Sequence, residues 1–356
     1  MTSTPAPGPA DVAAPSIPST PTSLGDHHPH HHAERSRVPM WAAVALTVVS
    51  GALVAVQSRI NGQLATRLDD FAVAALISFG SGLLILLAVL AAWPAGRRGV
   101  GRLRAALRER RLARWMLLGG VAGAWFVATQ GIAAGVLGVA LFTVAIVAGQ
   151  TLGGVVFDAI GIGPGGRRPL TVPRVAGAVL ALAAIGWAVS AQVAAAVPVL
   201  LMVLPFSAGF AVSWQQAMNG RVRTAASSAL AATLVNFAVG TTVLVVVLLV
   251  HAASVGWPTA MPAEPWLYAG GAVGCVFIAM QAALVRRVGV LVLALGIVAG
   301  QLAAALALDL LLPTSGHGVG LATIGGTVLA LVAVALSSAR RPARHTAPPA
   351  PVSPAS

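Results

Sequence analysis

Apolar runs about twenty residues long, each enough to cross a bilayer, follow one another from residue 40 to residue 338 with short polar breaks between them. Residues of this chain are 57% hydrophobic and 9% charged. A soluble domain carries about 25% charged residues, so water could not solvate these runs. The chain is an integral membrane protein by composition, which excludes a soluble enzyme, a disulfide scaffold and a disordered chain. At about twenty residues per span plus short loops, the apolar region holds about ten helices. They are expected over 40–63, 71–93, 115–137, 140–160, 172–194, 198–220, 229–251, 266–285, 290–312 and 318–338. The first run is too long and starts too far into the chain for a cleavable signal peptide. Residues 1–38 and 339–356 are rich in Pro, Ser, Thr and Ala and are expected to be disordered tails. The first tail carries His27-His28-Pro29-His30-His31-His32, readable as a polar tract or as metal-buffering imidazoles. Cys275 is the single cysteine and forms no internal disulfide.

The chain repeats itself. Shifted by 158 residues, Gly51 meets Gly209, Gln57 meets Gln215, Asn61 meets Asn219, Gly62 meets Gly220, Phe79 meets Phe237 and Gly82 meets Gly240. Shifted by 151, Trp115 meets Trp266, Gln130 meets Gln281, Ile146–Gln150 meets Ile297–Gln301, and Asp158 meets Asp309. Apolar matches are cheap in such a chain, but six of the nine Gln residues fall into matched pairs. We read a duplication with five helices in each half, 39–195 and 196–338.

Five is odd, so the second half is expected to enter the membrane from the opposite side. Arginine placement agrees, and the chain has no Lys. With the expected spans, 20 of the 22 arginines fall on one side, and only Arg59 and Arg67 fall on the other. The densest group runs from Arg97 to Arg114 after the second span. The positive-inside rule then puts both termini in the cytoplasm. The net charge of +13 therefore sits in loops between spans and is no nucleic-acid footprint. The expected fold is all-α integral membrane, ten transmembrane helices as two inverted five-helix repeats, an arrangement found in secondary transporters.

Polar side chains in lipid are costly, and each needs an account. Gln150 and Gln301 fall near the centres of the fourth and ninth spans. They read as a substrate-contacting amide pair or as an interhelical hydrogen bond. Gln130 and Gln281 lie off-centre, lining a pathway or holding helices. Ser78 and Asn236 are mates near mid-depth of the second and seventh spans. Trp125 and Trp214 could stack on a substrate, or serve packing. Gln57-x-x-x-Asn61-Gly62 and Gln215-x-x-x-Asn219-Gly220 put an amide pair on one helix face. Each pair reads as a gate, or as a helix C-cap with Gly in the left-handed region. Asp158 and Asp309 are the acids inside the apolar runs. They are proton-coupling candidates, or helix-end structure reached by water. Arg59 reads as attracting an anionic substrate or, as expected here, snorkelling to the outer surface. No catalytic constellation, metal set, phosphate loop or ATPase signature is present, so no enzyme activity, metal or cofactor is expected.

The stretch Gln57-Ser-Arg-Ile-Asn61-Gly62-Gln-Leu, followed by Leu76-Ile-Ser78-Phe79-Gly-Ser-Gly82, resembles the YdcZ-like branch of the drug/metabolite transporter superfamily. The second copy, Gln215-Gln-Ala-Met-Asn219-Gly220 with Asn236-Phe237-Ala-Val-Gly240, is similar. The resemblance covers about residues 40–338 and implies a fused pair of five-helix units working as an inner-membrane exporter. Small multidrug members of the superfamily use a glutamate in their first helix; no acid stands in the first or sixth span here. The expected activity is secondary-active export of a small metabolite or drug-like molecule from the plasma (inner) membrane by alternating access. Expected partners are that small molecule and the lipid bilayer, with no nucleic acid, in a monomer or homodimer. The rival readings are a non-transporting membrane sensor or subunit and an integral membrane lipid-modifying enzyme.

Overall fold

The computed structural model describes residues 39–167, 169–194, 199–258, 260–313 and 320–338. Both expected tails, with the histidine tract, lie outside them. The described residues form helices α1 (Met40–Leu68), α2 (Phe71–Ala92), α3 (Pro94–Arg108), α4 (Gly119–Thr129), α5 (Gly135–Leu137), α6 (Val139–Ile160), α7 (Val172–Ala194), α8 (Val203–Ala226), α9 (Ala229–Val255), α10 (Gly270–Leu311) and α11 (Leu321–Ser338). A π-helical turn, Gln130–Ala134, joins α4 to α5. Six stretches are long and apolar enough to cross a membrane: Met40–Leu68, Phe71–Ala92, Arg114–Leu137, Val139–Ile160, Ala229–Val255 and Leu293–Leu311. Val175–Trp187, Gly270–Gln281 and Leu321–Leu336 are shorter apolar helices.

Helix ends follow from side-chain chemistry, and the two halves use the same device. Asp69 ends α1 in the left-handed conformation (φ 50°), and Asp70 then caps α2 by accepting from Ala72 N (2.8 Å) and Val73 N (3.0 Å). Shifted by 158 residues, Ser227 ends α8 the same way (φ 46°), and Ser228 caps α9 by accepting from Ala231 N at 3.2 Å.

Contacts between the halves come in exchanged pairs. A Cβ on Gly51 would strike the Ile297 carbonyl and the Gln301 amide; one on Gly209 would strike the Ile146 carbonyl and the Gln150 amide. Gly82 lies against Phe237, Gly240 lies against Phe79, and the two rings stack at 4.9 Å. Helices α2 and α9 run antiparallel. Phe71 meets His251 at one end (5.1 Å between rings), Phe79 meets Phe237 midway, and Leu230 lies against Gly96 at the other end.

Several expectations change. The run of arginines after α2 folds into α3 rather than a loop. Its Gly96, Gly99, Leu103 and Ala106 are buried, a helical spacing that seats one face on the α8–α9 turn. Asn61-Gly62 does not end the first helix, which continues to Leu68, and Asn219-Gly220 does not end α8, which continues to Ala226. The C-cap reading of these two motifs is therefore overturned. Gly62 sits mid-helix against Ala134 and Gly135, and Gly220 against Pro164. Between 285 and 290, where a break was expected, the backbone of α10 stays helical. Its two arms nonetheless pack on α1 in opposite directions. Gly270 and Gly274 lie against Asn61 and Gln57, whereas Gly296 and Gly300 lie against Thr47 and Val48. The direction reverses between Leu284 and Leu293, which share one apolar cluster with Ala43.

Gly51 and Gly80 separate packing from propensity. Gly51→Ala should cost about 1–3 kcal/mol, because its Cβ would overlap backbone. A Cβ on Gly80 would meet nothing within 4 Å, so Gly80→Ala should instead gain about 0.5–1 kcal/mol of helix propensity. Thermal unfolding of the purified protein in detergent checks both signs.

Candidate functional site

Lipid offers no hydrogen-bond partner, so amides buried in the bundle must satisfy one another. The face of α1 that carries Gln57, Ser58 and Asn61 turns inward. Asn61 Nδ2 donates to Gln130 Oε1 (2.6 Å), and Gln130 Nε2 donates to Ser58 Oγ (2.9 Å). Ser58 Oγ donates to Val54 O (3.0 Å), and Gln57 Nε2 donates to Gly270 O (2.9 Å). Gln130 opens the π-helical turn, a deformation common at functional positions. Asn61 Oδ1 and Ser78 Oγ flank Gly270, and both oxygens are buried without a hydrogen-bond partner.

The mates of these residues form a second cluster. Gln215 Nε2 donates to Asn236 Oδ1 at 2.7 Å, and Asn219 Nδ2 donates to the same oxygen at 3.2 Å. Gly119 and Gly123 lie against Asn219 and Gln215, as Gly270 and Gly274 lie against Asn61 and Gln57. The two clusters differ in closure. Gln57, Asn61, Ser78 and Gln130 are 5%, 1%, 2% and 0% exposed. Among their counterparts Asn236 is buried, but Gln215, Asn219 and Gln281 are half-buried.

The central pair is not equivalent either. Gln301 is buried and its Nε2 has no hydrogen-bond partner. Gln150 is half-buried, and its backbone carbonyl accepts from Ser213 Oγ at 2.8 Å. Ser50 Oγ and Thr143 Oγ1 are likewise buried without a partner. Ser50 adjoins Gly51, which packs on the backbone amide of Gln301. Thr143 lies one turn from Val139, and Val139 packs with Ala55 and Ala305. Sequence reasoning missed these two hydroxyls and Ser58, because small hydroxyl residues are common in spans and none has a hydroxyl mate in the other half. Trp125 Nε1 donates to Ser207 Oγ (3.0 Å), a tie between the halves, and Trp214 is half-buried.

Asp309 makes the contacts of a helix cap. It accepts from Val139 N (3.0 Å) and Ala140 N (2.7 Å), and so closes the first turn of α6 from the other half of the chain. The turn into α6 is a single residue, Gly138, at φ 78°. Arg59 does not snorkel outward. Its Nη1 lies 3.6 Å from Asp309 Oδ1 with the side chain 11% exposed, and Nη2 donates to Leu312 O at 2.6 Å. Two more contacts join the halves at the same end: Arg67 Nη1 to Glu264 Oε1 (2.9 Å), and His251 Nε2 to Asp70 Oδ1 (3.6 Å). Asp158 is half-buried near the C-terminus of α6. Among the described residues no group of three or more His, Cys, Asp or Glu could hold a metal ion.

An all-helical chain with several stretches of bilayer length is a multi-pass membrane protein. The family model described as "Putative inner membrane exporter, YdcZ" matches it twice, over residues 42–187 and 200–336. The chain belongs to this family of inner-membrane exporters, which is not a family of enzymes. No curated protein matches the chain.

The capping role of Asp309 has a graded signature. Asp309→Ala should cost about 0.5–2 kcal/mol for the lost cap, plus the cost of leaving Arg59 without its carboxylate. Asp309→Asn keeps an acceptor oxygen and should lose less. Unfolding midpoints of the two variants in detergent would settle the order, and equal losses would contradict a cap.

Proposed function

We propose that this protein is a secondary-active exporter of a small polar or amphiphilic molecule, built from two inverted five-helix halves and working by alternating access. In this reading the chain crosses the membrane ten times with both termini in the cytoplasm. The two arms of α10 are the eighth and ninth spans, and α8 is the sixth. Support comes from the exchanged contacts, from the antiparallel course of α2 and α9, and from the arginine distribution. Helices equivalent under the repeat that run antiparallel are related by an axis in the membrane plane.

The observation that carries the reading is the unequal closure of two equivalent amide clusters. An alternating-access protein open to one side closes one cluster and leaves its counterpart partly exposed. The buried ion pair Arg59–Asp309 joins the halves on the sealed side, and so favours an inward-facing state. Gln57, Asn61, Gln215 and Asn219 act as the gates, and Gln150, Gln301, Ser78, Asn236, Gln130, Gln281, Trp125 and Trp214 line the path.

Two measurements test this. In a Cys275→Ser background, Asn219→Cys should react with a membrane-impermeant maleimide in inside-out vesicles, whereas Asn61→Cys should resist it in intact cells. Equal labelling at both positions would remove the asymmetry. Untargeted comparison of medium and cytosol should find a metabolite that the wild type moves outward. The Gln150→Ala/Gln301→Ala variant at equal membrane abundance should move it about tenfold more slowly, as for loss of one well-placed hydrogen bond. Unchanged metabolites in every strain would leave a ligand-binding sensor as the better reading.

A further inference from the structure

Helix α3 creates a feature that export does not require. Its buried face, Gly96, Gly99, Leu103 and Ala106, rests on the turn between α8 and α9, against Leu230, Ser228 and Ala231. This docking forms an open cavity of about 490 Å³ between α3, the segment that follows it, and the end of α8. Arg102, Arg111 and Arg221 line it together with Thr224, over an apolar floor that includes Leu112 and Met116. No Asp or Glu is among its lining residues.

Two of the three guanidinium groups are held by helix ends. Arg102 donates from Nε to Ala226 O (2.8 Å) and from Nη2 to Ser227 O (3.2 Å). Arg221 donates from Nε to Ile162 O (2.6 Å) and from Nη2 to Gly161 O (3.4 Å). Neutral carbonyls orient these groups without cancelling their charge, and the Nη1 of each is left for another acceptor. Arg111 Nη2 pairs with Glu109 Oε2 at 2.7 Å, but both side chains are more than half exposed, and such pairs are weak. Three arginines and no carboxylate are among the described lining residues of this apolar-floored pocket. Fixed guanidinium forks match the oxygens of a phosphate better than a diffuse basic surface does.

We propose that this cavity binds a phosphate group, whether the headgroup of an anionic phospholipid or a soluble phosphate. The site is independent of the transport reading, and its test measures binding without flux. The full chain is placed in phosphatidylcholine nanodiscs, and unfolding is followed by tryptophan fluorescence. In one arm sodium phosphate is titrated against sodium chloride of equal ionic strength. In the other, phosphatidylglycerol replaces part of the phosphatidylcholine. The expected result is a saturable rise in Tm in at least one arm. Arg111→Gln should weaken the apparent affinity about tenfold, as for one charge-assisted hydrogen bond. Arg104→Gln removes the same charge from an exposed position of α3 outside the cavity, and should change it by less than about twofold. Saturation with inorganic phosphate identifies a soluble ligand, and a response to phosphatidylglycerol alone identifies the headgroup. Absence of saturable stabilisation in both arms overturns the site. So does an equal loss in the two variants, which is the behaviour of diffuse charge attraction.

Discussion

The halves of this protein meet backbone to backbone, and the rest of the bundle is arranged around that contact. Lipid removes the hydrophobic drive that joins helices in water, which leaves close packing and buried hydrogen bonds to do it. Gly51 lets α1 reach the Ile297 carbonyl, and Gly209 lets α8 reach that of Ile146. Once these surfaces touch, Gln57 lies close enough to bond Gly270, and Phe79 close enough to stack on Phe237. A side chain at either glycine would hold the polar clusters apart as well as the helices.

Charge divides along the same axis as closure. One end of the bundle carries Glu264 and Asp309, paired with Arg67 and Arg59 across the halves, and Asp70, which His251 approaches to 3.6 Å. The other end carries arginines whose bonds across the halves run to helix carbonyls, as from Arg102 to Ala226 and from Arg221 to Ile162. Such carbonyl partners can be exchanged for water at modest cost. The same turn is written Asp69-Asp70 at one end and Ser227-Ser228 at the other, so a duplicated device has been given opposite electrostatic characters.

Much of this was legible in the sequence because the informative residues were polar and paired. Gln57 with Gln215 and Asn61 with Asn219 stood out against an apolar background, and the amide clusters are built around them, with Gln130 in one and Asn236 in the other. The helix ends were less legible. Asn-Gly is a common stop signal in water, but here Gly62 and Gly220 provide close approach to Ala134 and Pro164 within continuous helices. Helix α3 was hidden because its arginines dominated the reading, although Gly96, Gly99, Leu103 and Ala106 already carried a helical period. The partner of Arg59 lay 250 residues away, and no local pattern points that far. Closure is a property of one conformation, so the sequence could show that Asn61 and Asn219 are mates but not which of them is sealed.

The cap on α6 ties the order of synthesis to the order of folding. Helix α6 belongs to the part of the chain made first, yet the carboxylate that closes its first turn is Asp309, near the end of the last long helix. Until residue 309 has been made, the amides of Val139 and Ala140 lack the carboxylate that accepts from them here, as the first amides of any helix lack an intrahelical partner. The first turn of α6 can therefore be closed in this way only after the second half of the chain has been made.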